Sequence, residues 1–502
     1  MSLSRRALLG AGTAGLFANA LGIEFAGKEP AQRGRPKNII FCVADGLSIQ
    51  TMSMTDYFTQ LLHGRPSYWQ TLMNQEYATS GLQETRSLNS VVTDSSAASC
   101  TWGSGRRIWN GQVNMYPDGT KLRTLNSLMK EAGVRTGLVT TTTISHATPA
   151  GFAATCEERG MEPLIAEQYL QTDVDVLFGG GNNFFSPDKR RDKRDLYADY
   201  EKAGYKVAHN RDELLKMSGP KLLGIFSDSH RPFSIDHMNN PDLMKSTPTL
   251  SETVKVALDS LKDSPKGFLL QIEGGKVDHA AHGNDFAGMI FDQIEFESAV
   301  KIAVDFALRD RNTLVVITAD HATGGPSLNG AGREYIESTA GLKLLEGMKS
   351  SFEGILPHIG SSATRSDVQD VVKEKLGIGL SNDEADAVVA ARAGNSPLKV
   401  SSFHRSTGAT LAAVLGNHSK VTWTSGNHTC DHVLVTAVGP WSDRVAGITP
   451  NVKFFDLMLA TKDLKWSNPT MTFEEAKKHY DKKSGTSVDQ EELVAEEFDH
   501  GA

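Results

Sequence analysis

The chain has 502 residues, 39% of them hydrophobic and 7% aromatic, which leaves room for a large core and excludes a disordered chain, a fibrous repeat and a polytopic membrane protein. Lys plus Arg number 52 against 60 Asp plus Glu, a formal charge of −8, so no nucleic-acid-binding surface is evident and an anionic substrate has to be attracted locally. Fifteen His are a first hint that metal ions supply that local charge.

In chain order, Ser4-Arg5-Arg6, an apolar stretch to Phe17 and Ala18-Asn19-Ala20 read as a twin-Arg signal peptide over residues 1–20. The mature protein is therefore expected in the periplasm or secreted. No later run approaches the roughly 18 apolar residues of a membrane span, so no transmembrane segment remains after signal removal. Residues 21–37 read as a linker, with Pro, Gly and Arg concentrated in its second half.

From residue 38 to about 460 the chain alternates strand-like and helical runs. Asn38 to Ala44 is an apolar run after its first residue, as expected of a strand buried on both faces of a parallel sheet. Val134 to Thr141, Val174 to Phe178, Phe268 to Ile272, Thr313 to Thr318 and His432 to Val438 follow the same pattern. Phe286 to Leu308 carries apolar residues near a 3.6 period and is the clearest helix. Such repetition predicts an α/β fold with a doubly wound, mostly parallel sheet flanked by helices. Between about 330 and 420 no comparable strand run occurs, whereas Ser366 to Leu376 and Asn382 to Arg392 carry helix capping signals, so a helical insertion is expected there. Asp188 to Arg194, with five basic residues, reads as a solvated loop, and residues 461–502 as a C-terminal segment ending in an acidic tail. The four Cys show no C-x-x-C spacing and read as buried free thiols.

Three predicted strands end in acids: Asp45, Glu273, and Asp320 followed by His321. Ligands of open α/β sheets bind outside the carboxyl ends of strands, so these acids should converge on one crevice. Asp278 and His282, spaced i, i+4, face one side of a helix, and His428 follows in Gly426-Asn427-His428. Carboxylates with imidazoles are ligands suited to zinc. In Val91-Val92-Thr93-Asp94-Ser95-Ser96, Asp94 is a good N-cap, and Ser95 would stand where the free N–H groups of a helix start favour an anion.

The runs Val43-Ala44-Asp45-Gly46, Thr93-Asp94-Ser95-Ser96-Ala97, His146-Ala147-Thr148-Pro149-Ala150, Glu273-Gly274-Gly275-Lys276-Val277-Asp278-His279-Ala280-Ala281-His282, Thr318-Ala319-Asp320-His321 and Gly426-Asn427-His428 resemble the alkaline phosphatase family, in the family's order. The resemblance implies hydrolysis of small-molecule phosphate monoesters through a phosphoserine on Ser95. It implies two zinc ions, one held by Asp278, His282 and His428, the other by Asp45, Asp320, His321 and the Ser95 oxygen. It also implies a third metal, commonly magnesium and replaceable by zinc or cobalt, held by Asp45, Thr148 and Glu273. Arg159 stands where the family has its phosphate-binding Arg; Arg135 and Arg106 are rivals. His146 and His279 match outer-shell positions at which some bacterial members have Asp and Lys. The family's common homodimer is expected as well.

Other readings are a phosphodiesterase or sulfatase-like relative and a non-catalytic zinc-binding exported protein. Ser95-Ser96-Ala97-Ala98-Ser99 lacks the Pro and Arg of the sulfatase context. Diesterase relatives usually lack the third-metal ligands and the Arg. A non-catalytic protein would show degenerate ligands, and none is degenerate.

Overall fold

The computed structural model describes residues 34–484. The signal peptide at 1–20, most of the linker and the acidic tail beyond 488 lie outside the described residues. The chain builds a ten-stranded sheet from β1 (Asn38–Ala44), β2 (Ala78–Glu84), β3 (Arg135–Thr143), β4 (Val176–Gly180), β5 (Lys206–Ala208), β6 (Leu222–Ile225), β7 (Phe268–Gly274), β8 (Thr313–Thr318), β9 (Val433–Val438) and β10 (Gly447–Pro450). Their spatial order is β10-β2-β9-β8-β1-β7-β3-β4-β6-β5. Strand pairs are parallel except at β9, which runs antiparallel to both β8 and β2.

The continuous apolar reading of β1 follows from its place at the sheet centre. Ile40, Cys42 and Ala44 pack into the core on one face, while Ile39, Phe41 and Val43 pack into the core on the other. The sheet is thus covered by helices on both faces, as doubly wound sheets are. Ten of the helices are α1 (Ile49–His63), α2 (Ser95–Ser104), α3 (Ala147–Ala153), α4 (Lys276–His282), α5 (Phe286–Asp310), α6 (Arg365–Leu376), α7 (Asn382–Arg392), α8 (Thr407–Ser419), α9 (Lys453–Ala460) and α10 (Phe473–Ser484). Among the described residues none is long and apolar enough to cross a membrane.

Between 330 and 420 the described structure is helical, and α6 and α7 begin in capping boxes, Thr364 with Asp367 and Ser381 with Glu384. Val368, Val372 and Leu376 of α6 and Val388 of α7 join the core on the α5 side of the sheet. The insertion is therefore packed continuously with the sheet domain.

Two expectations are corrected at one residue each, the rest of the stretch 188–194 being exposed as expected of a solvated loop. Arg190, in the basic stretch 188–194, is buried: its guanidinium donates to Asp192, Glu167 and the Phe184 carbonyl, so the charge leaves water because it is paired. Cys42, Cys100 and Cys156 are buried free thiols, but Cys430 is exposed.

Candidate active site

The parallel strands β3, β7, β1 and β8 are neighbours, and their register sets Thr140, Glu273, Val43 and Thr318 in one row across the sheet. Asp45 and Asp320 follow two residues beyond that row, so the acids converge because four strands end together. Gly46 turns the chain there with φ +71°; a Cβ at this position would meet Asp278 Oδ1 at 2.5 Å. That close approach brings α4, with Asp278 and His282, against the end of β1.

Each carboxylate is held by one oxygen. Asp320 Oδ1 accepts the Gly46 and His321 N–H groups at 3.0 and 2.8 Å. Asp278 Oδ1 accepts the Thr323 hydroxyl at 2.5 Å, Glu273 Oε2 the Thr140 hydroxyl at 2.5 Å, and Asp45 Oδ2 the Thr148 hydroxyl at 3.3 Å. Asp45 Oδ1, Asp320 Oδ2, Glu273 Oε1 and His146 Nδ1 are buried with no hydrogen bond, His321 Nε2 lying 3.0 Å from Asp320 Oδ2 and 3.6 Å from Asp45 Oδ1. Unpaired anionic oxygens in a dry site are costly unless a cation meets them.

The imidazoles make the same case. His282 Nδ1 lies 2.6 Å from the Gly426 carbonyl and His428 Nδ1 2.8 Å from the Thr93 carbonyl. A carbonyl only accepts, so both Nδ1 atoms carry the proton, and in the neutral imidazoles, the form a metal binds, both Nε2 atoms present lone pairs. Those Nε2 atoms face each other at 2.9 Å, with Asp278 Oδ2 3.2 Å from His282 Nε2. Two facing lone pairs repel, and a metal ion relieves the conflict. The residues fit metals.

Among the described residues, three groups have ligand atoms within 4.8 Å of one another: Asp278, His321 and His428; Asp45, Asp320 and His321; Asp45, His146 and Glu273. His146, which the sequence puts outside the ligand shell, thus approaches two acids as closely as a ligand does. His279 packs edge-on against His146, ring centroids 5.5 Å apart. Burial, then the charges of Asp320, Asp278 and Glu273, raise Asp45 well above the ordinary carboxylate range, and burial raises Glu273 to about 7. Burial opposes the charged form of Asp278 too, but His282, His428 and His321 outweigh it and hold Asp278 well below its ordinary value. Burial, followed by Arg159, lowers His146 to about 3.

Asp94 caps α2, accepting the Ala97 N–H at 2.8 Å. The Ser96 hydroxyl donates back to Asp94 Oδ2 at 2.8 Å, whereas Ser95 Oγ is 3.2 Å from His321 Nε2. Of the two hydroxyls only that of Ser95 enters the cluster. Arg159 Nη1 lies 3.3 Å from Asp94 Oδ2, and Arg159 Nη2 3.3 Å from His146 Nε2. Its rivals are engaged elsewhere: Arg106 with the Asn468 carbonyl and Ser467, Arg135 with the Pro220 and Ser260 carbonyls. Sequence reasoning missed the supporting threonines Thr140, Thr148 as a partner of Asp45, and Thr323. The run Thr140-Thr141-Thr142-Thr143 at a strand end was the available signal for the first.

A family model for alkaline phosphatase matches residues 36–464. Alkaline phosphatase 3 of Bacillus subtilis is 30% identical over 440 residues, 85% of this chain and 89% of that one. An alkaline phosphatase of Schizosaccharomyces pombe is 30% identical over 481 residues, 90% of this chain and 86% of that one. Among solved structures, Thermus thermophilus alkaline phosphatase superposes with a TM-score of 0.85 at 33% identity, covering 96% of this chain and 100% of that chain. The cold-active alkaline phosphatase of a psychrophilic Shewanella gives 0.71 at 28% identity, over 84% and 99%. The match across 36–464 and the acids gathered at four strand ends lead to one conclusion: the chain belongs to the alkaline phosphatase family and is a hydrolase of phosphate monoesters.

Proposed function

We propose that the enzyme transfers the phosphoryl group of a monoester to Ser95 and then to water. Two zinc ions, held by Asp278, His282 and His428 and by Asp45, Asp320 and His321, with magnesium at Asp45, Thr148 and Glu273, would supply Lewis-acid charge to the phosphoryl oxygens and lower the pKa of nearby hydroxyls. Ser95 begins α2, where unpaired backbone N–H groups favour the phosphoryl anion. Its Oγ forms the bond to phosphorus as the ester oxygen leaves, and water then releases phosphate from phosphoserine. Arg159 grips two phosphoryl oxygens with its fork, and Asp94 and His146 hold that fork in place.

The observation that carries this reading is the pairing pattern of the buried groups: Asp45, Glu273 and Asp320 each have one oxygen on a hydroxyl or an N–H and the other without a hydrogen bond, while His282 and His428 have Nδ1 on a carbonyl and turn Nε2 toward each other. We further propose export by the twin-Arg route and action as a homodimer; sedimentation of the secreted protein tests the latter. The function is tested by phosphate release from an aryl phosphate, beside a diester and a sulfate ester, together with metal analysis of the native protein. Preference for the monoester with about two zinc ions per chain is expected; a faster diester or sulfate reaction contradicts it.

A further inference from the structure

One residue outside the metal and phosphate groups holds the turn on which three catalytic parts meet. The turn Val92-Thr93-Asp94 launches α2, and two of its residues, Thr93 and Asp94, have tasks in the site. The Thr93 carbonyl takes the Nδ1 proton of His428, Asp94 caps the Ser95 helix, and Asp94 Oδ2 pairs with Arg159. Asn110, on a loop sixteen residues further on, straddles this turn. Its Oδ1 accepts the Asp94 N–H at 3.2 Å, and its Nδ2 donates to the Val92 carbonyl at 3.1 Å. The two bonds fix which end of the amide is which, since a flipped amide would set donor against donor.

The clamp is itself anchored. The Asn110 N–H donates to Asn89 Oδ1 at 2.9 Å, and the Gly111 N–H donates to Asp94 Oδ2 at 2.8 Å. The Gly111 carbonyl accepts the Arg159 N–H at 2.8 Å. One dipeptide therefore holds the turn at both ends and the backbone of the arginine as well. Behind it, the Trp109 ring stacks on Tyr480 and Phe473 of α10, centroids 4.6 and 6.0 Å apart.

We propose that Asn110 is a positioning residue that sets the Thr93 carbonyl, and through it the imidazole of His428, in register with Ser95 and Arg159. This rests on the reading of His428 as a zinc ligand given above. A histidine whose Nδ1–H loses its acceptor can rotate or change tautomer, and either withdraws Nε2 from the ion. Loss of Asn110 therefore loosens metal binding as well as catalysis.

The test compares wild type with Asn110→Ala and Asn110→Asp, each purified as the zinc-loaded enzyme. Asn110→Asp keeps the size and the acceptor for the Asp94 N–H but turns an oxygen toward the Val92 carbonyl. Both variants are expected to release zinc to a coloured chelator about 10–100-fold faster than wild type. kcat should fall and inhibition by inorganic phosphate should weaken, while the metal-free proteins melt near the wild-type temperature. Zinc release at the wild-type rate with kcat and KM within about twofold overturns the inference, as does a lowered metal-free melting temperature with unchanged zinc release. If Asn110→Ala does not fold, Asn110→Asp carries the comparison alone. Failure of the zinc reading would be seen separately, as a wild-type enzyme that purifies without zinc.

Discussion

Ser95 and Ser96 are adjacent hydroxyls with opposite fates, and Asp94 divides them. It takes the Ser96 hydroxyl into its own cap and leaves Ser95 Oγ beside His321. Ser95→Ala should keep the fold and bind phosphate, yet lower kcat by about 10³ or more, because the covalent route is gone while the surrounding charges remain. Ser96→Ala should cost far less; if Ser96 proved the indispensable hydroxyl, the assignment of the nucleophile would be wrong. His146 offers a second comparison. A ring nitrogen of His146 lies within 4.8 Å of carboxylate oxygens of Asp45 and Glu273, and an imidazole is a softer, uncharged donor than the carboxylate some relatives have there. His146→Asp should lower the magnesium concentration for half-activation by about tenfold, and His279→Lys should deepen the effect by returning an ion-pair partner. Equal half-activation concentrations in wild type and both variants would assign the two histidines to packing alone.

At the scale of elements, the site depends on how closely α2 and α3 approach. A Cβ on Gly103 of α2 would lie 1.8 Å from the Gly151 carbonyl of α3, and one on Gly151 would lie 2.4 Å from Ser99 Oγ. The same contact lets Ser99 donate to the Thr148 carbonyl at 2.6 Å, so the nucleophile helix and the Thr148 helix are fastened within one turn of their functional ends. Gly103→Ala must push the helices apart, at a cost of about 1–3 kcal/mol. Calorimetry should record a lower melting temperature, and magnesium half-activation should rise because Thr148 moves from Asp45. An unchanged melting temperature would mean that the contact is not tight.

The elements that build this site were legible in the sequence because each ligand sits in a short motif at the end of an apolar run. β1 and β8 fall where their apolar residues begin and end, and α7 spans the predicted Asn382 to Arg392. What was not legible lies at the sheet edges or one strand in from them, or depends on distant partners. Ala78–Glu84 is polar and half-buried, Lys206–Ala208 has three residues, and Gly447–Pro450 is mostly exposed, so none gives the continuous apolar signal of a central strand. Asn110 had no signal either, because an amide that clamps a turn sixteen residues away has no periodicity to reveal it.

For the molecule as a whole, the buried acids make stability depend on what replaces their protons. Glu273 has a folded pKa raised from 4.5 to about 7 by burial. The folded chain then binds the proton more tightly than the unfolded chain, so this contribution is fully present below about pH 4.5 and is lost as pH rises through about 7. Asp45 acts in the same direction. The buried histidines His146, His230, His279 and His428, all lowered by burial, act in the opposite direction, so the Glu273 contribution is read against Glu273→Gln: relative to that variant, the metal-free wild type should lose melting temperature between about pH 5 and about pH 8. Zinc and magnesium should erase the difference, since a cation then does what the proton did. A metal-free melting temperature that rises over this interval, equally in wild type and variant, would contradict the assignment.

The central claim is that Ser95 carries the phosphoryl group between ester and water, and trapping that group tests it most directly. The zinc-loaded enzyme is mixed with an aryl phosphate at mildly acidic pH, quenched in acid and digested, and the peptide that contains Ser95 and Ser96 is sequenced by mass spectrometry. The account predicts one phosphoryl group on Ser95, absent from Ser95→Ala and absent when metals are stripped beforehand. Turnover of the ester with phosphate found on Ser96, on another residue, or on none under conditions where the intermediate should accumulate would contradict it.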